Sequence, residues 1–202
     1  MNTSKPYDQI DLESIEEIAI SIQANIVDAL IVVDMQNAFV SGAEAVPASK
    51  QLLASIRILL AKARSAHAPV IFLQNDGEIG ALDEPYEVGW ELFFPPEPHE
   101  IIIRKSEDSG FKGTSLQQIL DDHHVKSIAI CGVLSEMCVA ATARAALELG
   151  FDVLLPHDAH ATYDVPAGPG SESVPAAMVA RVAEWSLGDE IIICASVNEV
   201  FF

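Results

Sequence analysis

The stretch Ser127-Ile-Ala-Ile-Cys-Gly-Val-Leu-Ser-Glu-Met-Cys-Val-Ala-Ala-Thr-Ala-Arg-Ala-Ala-Leu-Glu-Leu-Gly150 changes its hydrophobic period halfway along. Ser127 to Cys131 is a short apolar run that reads as a buried strand. Gly132 breaks it, and from Glu136 an alanine-rich run with helical spacing continues to Gly150. A strand, a tight turn and a helix in immediate succession form a corner suited to an active site. The sequence places Ser135 as the N-cap, which puts Cys138 in the first helical turn, beside backbone N–H groups that have no intrahelical partner. The positive end of the helix favours a thiolate there. A cysteine in this position is more often a small packing residue, so the rest of the chain has to decide its role.

Outward from this corner the same alternation recurs. Apolar runs at Ala29 to Val33, Val70 to Leu73, Ile101 to Ile103, Ile128 to Cys131, Val153 to Leu155 and Ile191 to Cys194 are short and rich in Ile and Val, as fully buried strands are. Helical segments at Ser49 to Arg64, Ser115 to His123, Glu136 to Leu149 and Pro175 to Leu187 lie between them. Thr114 with Gln117 reads as a capping box, and Ser173 before Pro175 as another helix start. The alternation implies an α/β fold, a parallel sheet covered on both faces that binds ligands at the carboxyl ends of its strands. At those ends stand Asp34, then Arg104 and Lys105, then Cys138. An acid, a cation and a thiol are a plausible catalytic set, since a thiolate needs a proton acceptor and a nearby positive charge.

The chain has 202 residues, half of them hydrophobic and a fifth charged, enough for one large core. Residues 1–27 read as an extension, with Leu12, Ile15, Ile18, Ile22 and Ile26 close to one face of an amphipathic helix, and 28–202 as the body. Three cysteines, Cys131, Cys138 and Cys194, show no CxxC spacing and suggest a reducing compartment. With no secretory signal or membrane-spanning run, the expected location is the cytoplasm. The net charge of −19, with scattered lysines and arginines, argues against nucleic-acid or anionic-membrane partners. An acidic field would favour a cationic substrate, or serve solubility alone.

Three segments in order, Val-Asp-Met-Gln-Asn-Ala-Phe from Val33, Lys-Ser-Glu-Asp-Ser-Gly-Phe-Lys-Gly-Thr from Lys105 and Cys-Gly-Val-Leu-Ser-Glu-Met-Cys-Val from Cys131, resemble the isochorismatase-like cysteine hydrolase superfamily. The resemblance runs from about Ala29 to the C-terminus. It implies a three-layer αβα fold with a six-stranded, mainly parallel sheet in Rossmann-like order 3-2-1-4-5-6, and a cis peptide between Val133 and Leu134. It also implies a catalytic triad of Asp34 as acid and base, Lys105 as cation and Cys138 as nucleophile, with the N–H groups of Leu134 and Cys138 as oxyanion hole. The nicotinamidase-type Asp-x-His is missing after the second strand, so neither a catalytic metal nor a cofactor is expected.

The resemblance thus implies a hydrolase that opens a C–N bond of an amide or lactam through a thioester. The segment from Leu73 to Pro85, with Gly89 to Leu92, is similar to a branch of the family that opens the lactam of a cationic antibiotic. Asp76, Glu78, Asp83, Glu84, Glu87 and Glu91 would give its pocket an acidic rim. Candidate substrate contacts are Phe39, Gln74, Asn75, Asp76, Trp90, Val133, His160 and Tyr163, several of them in the irregular segment from Asp76 to His99. Trp90 could equally pack the loop, and a histidine such as His160 is more often structural than catalytic. A vinyl-ether hydrolase using Asp34 as acid and an idle scaffold of the same fold are the alternatives. The apolar N-terminal stripe and the Phe201-Phe202 end suggest a homodimer or homotetramer.

Overall fold

Five consecutive apolar residues set the centre of the molecule in the computed structural model, which describes residues 25–202. Strand β1 (Ala29–Val33) is buried at every position, so it can lie only inside a sheet covered on both faces. β2 (Val70–Asn75) and β4 (Ser127–Val133) flank it in parallel, with Leu30 opposite Val70 and Ala29 opposite Ile128. With β3 (Ile101–Lys105), β5 (Asp152–Pro156) and, later in the chain, β7 (Ile192–Cys194), the order is β3-β2-β1-β4-β5-β7. A two-residue strand, β6 (His160–Ala161), pairs with the end of β4. This is the expected Rossmann-like order, with one short strand added.

Among the described residues, five α-helices flank the sheet: α1 (Asn37–Val40), α2 (Ser49–Ser65), α3 (Leu116–Asp122), α4 (Ala140–Glu148) and α5 (Ala176–Trp185). The strand period of two divides β1 between two cores. Leu30 and Val32 pack with Leu52, Ile56, Leu59 and Leu60 of α2, which recur at helical spacing. Ala29, Ile31 and Val33 pack with Leu116 and Leu120 of α3 and Ala143 and Ala146 of α4. Each large side chain so buried contributes about 1.5–3 kcal/mol. Gly132 has φ +127° and lies so close to β1 that a Cβ would stand 2.0 Å from the Val33 carbonyl oxygen. The sheet closes at this point only because that residue lacks a side chain.

Several local expectations are corrected. Ser135 is not an N-cap: Leu134 holds that position, and Ser135–Val139 forms one π-helical turn before α4. The Leu134 carbonyl accepts from the N–H of Met137 at 3.1 Å and of Val139 at 3.2 Å, passing over Cys138. β3 is not fully buried, because it is an edge strand and Ile102 and Arg104 face outward. The Thr114–Gln117 capping box does not form; the Thr114 hydroxyl accepts from Leu116 N–H, but Gln117 makes no return bond. At α5 the first N–H, of Ala176, donates to Asp164 rather than to Ser173.

The helix expected over the N-terminal extension lies outside the described residues, apart from its last few positions. The terminal Phe201-Phe202 pair is engaged within its own chain: Phe201 bridges to Ile26 and its ring faces the Lys62 ammonium, while Phe202 packs on the core. Among the described residues no helix is long and apolar enough to cross a membrane.

Candidate active site

The carboxyl ends of three strands, β3, β1 and β4, deliver the polar residues, with the end of β2 between the first two. Asp34 follows β1 with φ +49°, a left-handed backbone that aspartate tolerates better than most residues. Its N–H donates to the Leu73 carbonyl of β2 at 3.0 Å and its carbonyl accepts from Gln36 N–H at 2.7 Å, so the turn is tied to β2 and closed on itself. Lys105 ends β3 opposite Asn75, the last residue of β2. Cys138 rises from the π-turn after β4, which the cis peptide Val133–Leu134 enters.

Lys105 Nζ stands at the junction of these elements. It lies 2.8 Å from Asp34 Oδ2 and donates to Cys138 Sγ at 3.3 Å and to Asn75 Oδ1 at 3.4 Å. Asn75 is itself oriented through its Nδ2, which donates to Asp83 Oδ2 at 2.7 Å. Asp34 and Lys105 are 2% and 3% exposed, so the pair is desolvated and each charge depends on the other. Burial pushes the Asp34 carboxyl up to about 6, although Lys105 opposes that shift. Lys105 is held above its ordinary value, because Asp34 and Cys138 together outweigh the effect of burial.

The surroundings of Cys138 work against the thiolate that a helix start by itself would favour. Burial, reinforced by the Asp34 carboxylate, pushes the Cys138 thiol up to about 12 against the pull of Lys105. At neutral pH the site therefore holds a carboxylate, an ammonium and a neutral thiol. Moving the thiol proton to Asp34 would leave the net charge of the group unchanged, which makes Asp34 the natural acceptor.

Asp34 and Cys138 line a cavity of about 150 Å3 together with Phe39, Asn75, Asp108, Val133, Leu134 and Met137. Phe39 and Val133 are thus placed as expected. Gln74, Asp76, Trp90 and His160 are not in the lining, and each is engaged elsewhere. Gln74 donates to the Trp90 carbonyl at 2.9 Å. Trp90 donates through Nε1 to Asp76, which also pairs with Arg104, and the Arg104 guanidinium lies over the Trp90 and Tyr86 rings. This stack forms part of the loop structure outside the cavity. His160 is buried between Ser135 and Glu184, and Tyr163 donates to the Glu44 carbonyl.

The acidic rim is also redrawn. Asp76 is neutralised by Arg104, Asp83 is buried against Asn75, and Glu84 accepts from Gly80 N–H. The acid that does reach the cavity is Asp108, with Oδ1 3.8 Å from Cys138 Sγ. It sits in the motif that begins at Lys105, and that nearness in sequence was the available signal. Gln36 was missed as well. Its amide accepts from Asn75 N–H and donates to the carbonyls of Asn75 and Trp90, pinning the irregular loop to the end of β2. A glutamine two residues after the strand-end aspartate was the hint.

The Leu134 N–H donates to no acceptor among the described residues. Leu134 and Cys138 line the same cavity, so this donor stands on the wall that carries the sulfur.

Known proteins resemble this chain in sequence and in fold. Two streptothricin hydrolases from Streptomyces noursei are 61% and 60% identical over 168 residues, 82% of this chain. The chain spans 61% and 67% of their lengths. An isochorismatase from Pseudomonas putida KT2440 superposes with a TM-score of 0.80 at 26% identity, covering 88% of this chain and 91% of that one. The family model for the isochorismatase domain matches residues 28–183. With the family model matching most of the chain and the fold in agreement, the chain belongs to the isochorismatase family of hydrolases.

Proposed function

We propose that this chain is a cysteine hydrolase that opens the C–N bond of an amide or lactam, with a cationic substrate of the streptothricin type. The observation that carries the reading is the contact of Lys105 Nζ with both Asp34 and Cys138 on the wall of one small cavity. Substrate entering the cavity places its carbonyl carbon against Sγ. Asp34, whose Oδ1 has no partner among the described residues, takes the thiol proton as the C–S bond forms. The Leu134 and Cys138 N–H groups donate to the developing oxyanion. Asp34 then returns its proton to the leaving nitrogen, the C–N bond breaks and a thioester remains. A water deprotonated by Asp34 hydrolyses the thioester, and the proton passes back to sulfur. Throughout the cycle Lys105 keeps the negative charge, on oxygen or on sulfur, inside a dry site.

The cationic preference rests on Asp108 and Asp34. Two carboxylates face the cavity and the ammonium beside it, that of Lys105, is already paired, so an anionic substrate meets repulsion and an ammonium-bearing one attraction. The streptothricin hydrolase relatives support the same class. A second reading, vinyl-ether cleavage by a protonated Asp34, draws on the value of about 6, which leaves a fraction of the carboxyl protonated at neutral pH. Asp108, which stays charged when Asp34 is protonated, counts against it for an anionic vinyl ether.

The test is turnover of streptothricin and a panel of neutral and cationic amides by wild type and Cys138→Ala. Loss of all C–N cleavage in the alanine variant, with the fold intact, is expected. Cleavage that survives without the thiol refutes the nucleophile and favours Asp34 acting alone.

A further inference from the structure

A second convergence of ligating groups lies outside the Cys138 cavity and shares none of its lining residues. After β5, His157 Nδ1 and His160 Nε2 both point at Glu184 Oε1 on α5, at 2.5 and 3.0 Å, and the three donor atoms lie within 4.8 Å of one another. We propose that His157, His160 and Glu184 form a binding site for a divalent transition-metal ion of the zinc type.

The distances suit such an ion. Zinc bonded to nitrogen and oxygen at about 2.0–2.2 Å in a tetrahedron holds its ligands about 3.3 Å apart. The present spacings reach that arrangement by small side-chain rotations. Two imidazoles and one carboxylate, with no thiol and a single acid, suit zinc, cobalt or nickel better than magnesium or calcium, which take mostly oxygen ligands. The site is also desolvated and reachable. The side chains of His160 and Glu184 are 0% and 2% exposed, whereas that of His157 is 51% exposed. Both histidines line a cavity of about 410 Å3, which gives an entry path and room for a water as fourth ligand.

The surroundings are those of an oriented ligand set. His160 Nδ1 lies 2.8 Å from Ser135 Oγ, and Arg181 Nη1 lies 3.4 Å from Glu184 Oε2, leaving Oε1 for the ion. A carboxylate only accepts, so without metal the ring nitrogens facing Glu184 carry the protons. On binding, each of these nitrogens gives its lone pair to the metal and the ring proton moves to the other nitrogen. In His160 that nitrogen is Nδ1, which then donates to Ser135 Oγ; in His157 it is the solvent-side Nε2. No net proton need leave. The ion would fasten α5 to the segment after β5 and, through Ser135, to the π-turn that carries Cys138.

The test uses the full chain stripped with a chelator, titrated with Zn2+ by calorimetry and with Co2+ by visible absorption. Cys138→Ala removes the most accessible of the three free thiols, and His99→Ala breaks the surface group Glu97, His99 and Glu100 that also brings three donors together. One equivalent of Zn2+ and the absorption bands of a four-coordinate Co2+ site are expected in wild type and in both of these variants. His157→Ala, which changes a half-exposed side chain, should keep the circular dichroism of wild type while losing at least about tenfold in affinity. Zn2+ should raise the melting temperature of wild type but not of His157→Ala. The proposal is overturned by no uptake at about 0.1 mM Zn2+, a hundredfold above a micromolar Kd. It is equally overturned by undiminished uptake in His157→Ala, or by loss of uptake in Cys138→Ala or His99→Ala.

Discussion

Replacing Lys105 by Met removes the cation from a buried pair and roughly keeps the volume. Deleting one member of such a pair ordinarily costs about 3–5 kcal/mol, because a charge is left in the dry interior. Here the loss is capped, since Asp34 can become neutral. With its folded-state value already raised to about 6, protonating Asp34 at pH 7 crosses one pH unit, or about 1.4 kcal/mol. The sign follows from linkage: a raised carboxyl contributes stability that is present below about pH 4 and lost as pH climbs through 6, so wild type already bears the cost of an ionised Asp34 at pH 7. Lys105→Met should therefore lose about 1–2 kcal/mol at pH 7, a drop of about 3–6 °C in melting temperature for a chain of this size. The deficit should vanish near pH 5.5 and widen by about 1.4 kcal/mol for each unit above 7. Activity behaves differently: a protonated Asp34 cannot take the thiol proton, and turnover at pH 7 should fall at least about a hundredfold. Urea unfolding at pH 5.5, 7 and 8, beside turnover of streptothricin, reads both effects. A loss of 3–5 kcal/mol that does not shrink at pH 5.5, or turnover that survives, would refute the reasoning.

The remaining predictions concern single residues. In Asp34→Asn the nearest carboxylate is gone and Lys105 is released to pair with sulfur, so iodoacetamide should alkylate Cys138 faster at pH 8 than in wild type while hydrolysis is lost; slower alkylation would contradict the coupling of thiol and carboxylate. Because burial holds the wild-type thiol near 12, slow alkylation at neutral pH does not mark an idle scaffold. Asp108→Asn should raise KM for cationic substrates by up to about fivefold, as loss of one exposed ion pair implies, and leave kcat and neutral amides unchanged. An equal change for both substrate types would remove Asp108 from recognition. Gly132→Ala drives a Cβ against the Val33 carbonyl at a positive φ and should prevent recovery of folded protein, which expression and circular dichroism will show. A normally folded variant would mean that β1 and β4 can separate there.

Much of the fold could be read because it depends on local periodicity. Ala29 to Val33 is apolar at every position, which only a central strand tolerates, and its bounds agree with the structure. The edge strands read as fully buried because an Ile-rich run looks the same at an edge as at the centre; Ile102, on the edge strand β3, is 48% exposed. Asp34, Lys105 and Cys138 were legible as polar residues at strand ends, since parallel topology sends those ends to one side. Gln74, Asp76, Trp90 and His160 have the same chemistry and similar positions in the chain, and nothing local shows that their hydrogen bonds go elsewhere.

By itself, then, the sequence determined the alternation of elements, the family motifs and the residue types at the strand ends, because these depend on neighbours a few positions apart. Only the tertiary structure decided which acid enters the cavity, that Cys138 rests as a thiol, and that His160 turns to Ser135 and Glu184. Those outcomes depend on burial and on partners as far away as Asp34 from Lys105 and His157 from Glu184, whose electrostatic and hydrogen-bonding effects exist only once the chain has closed.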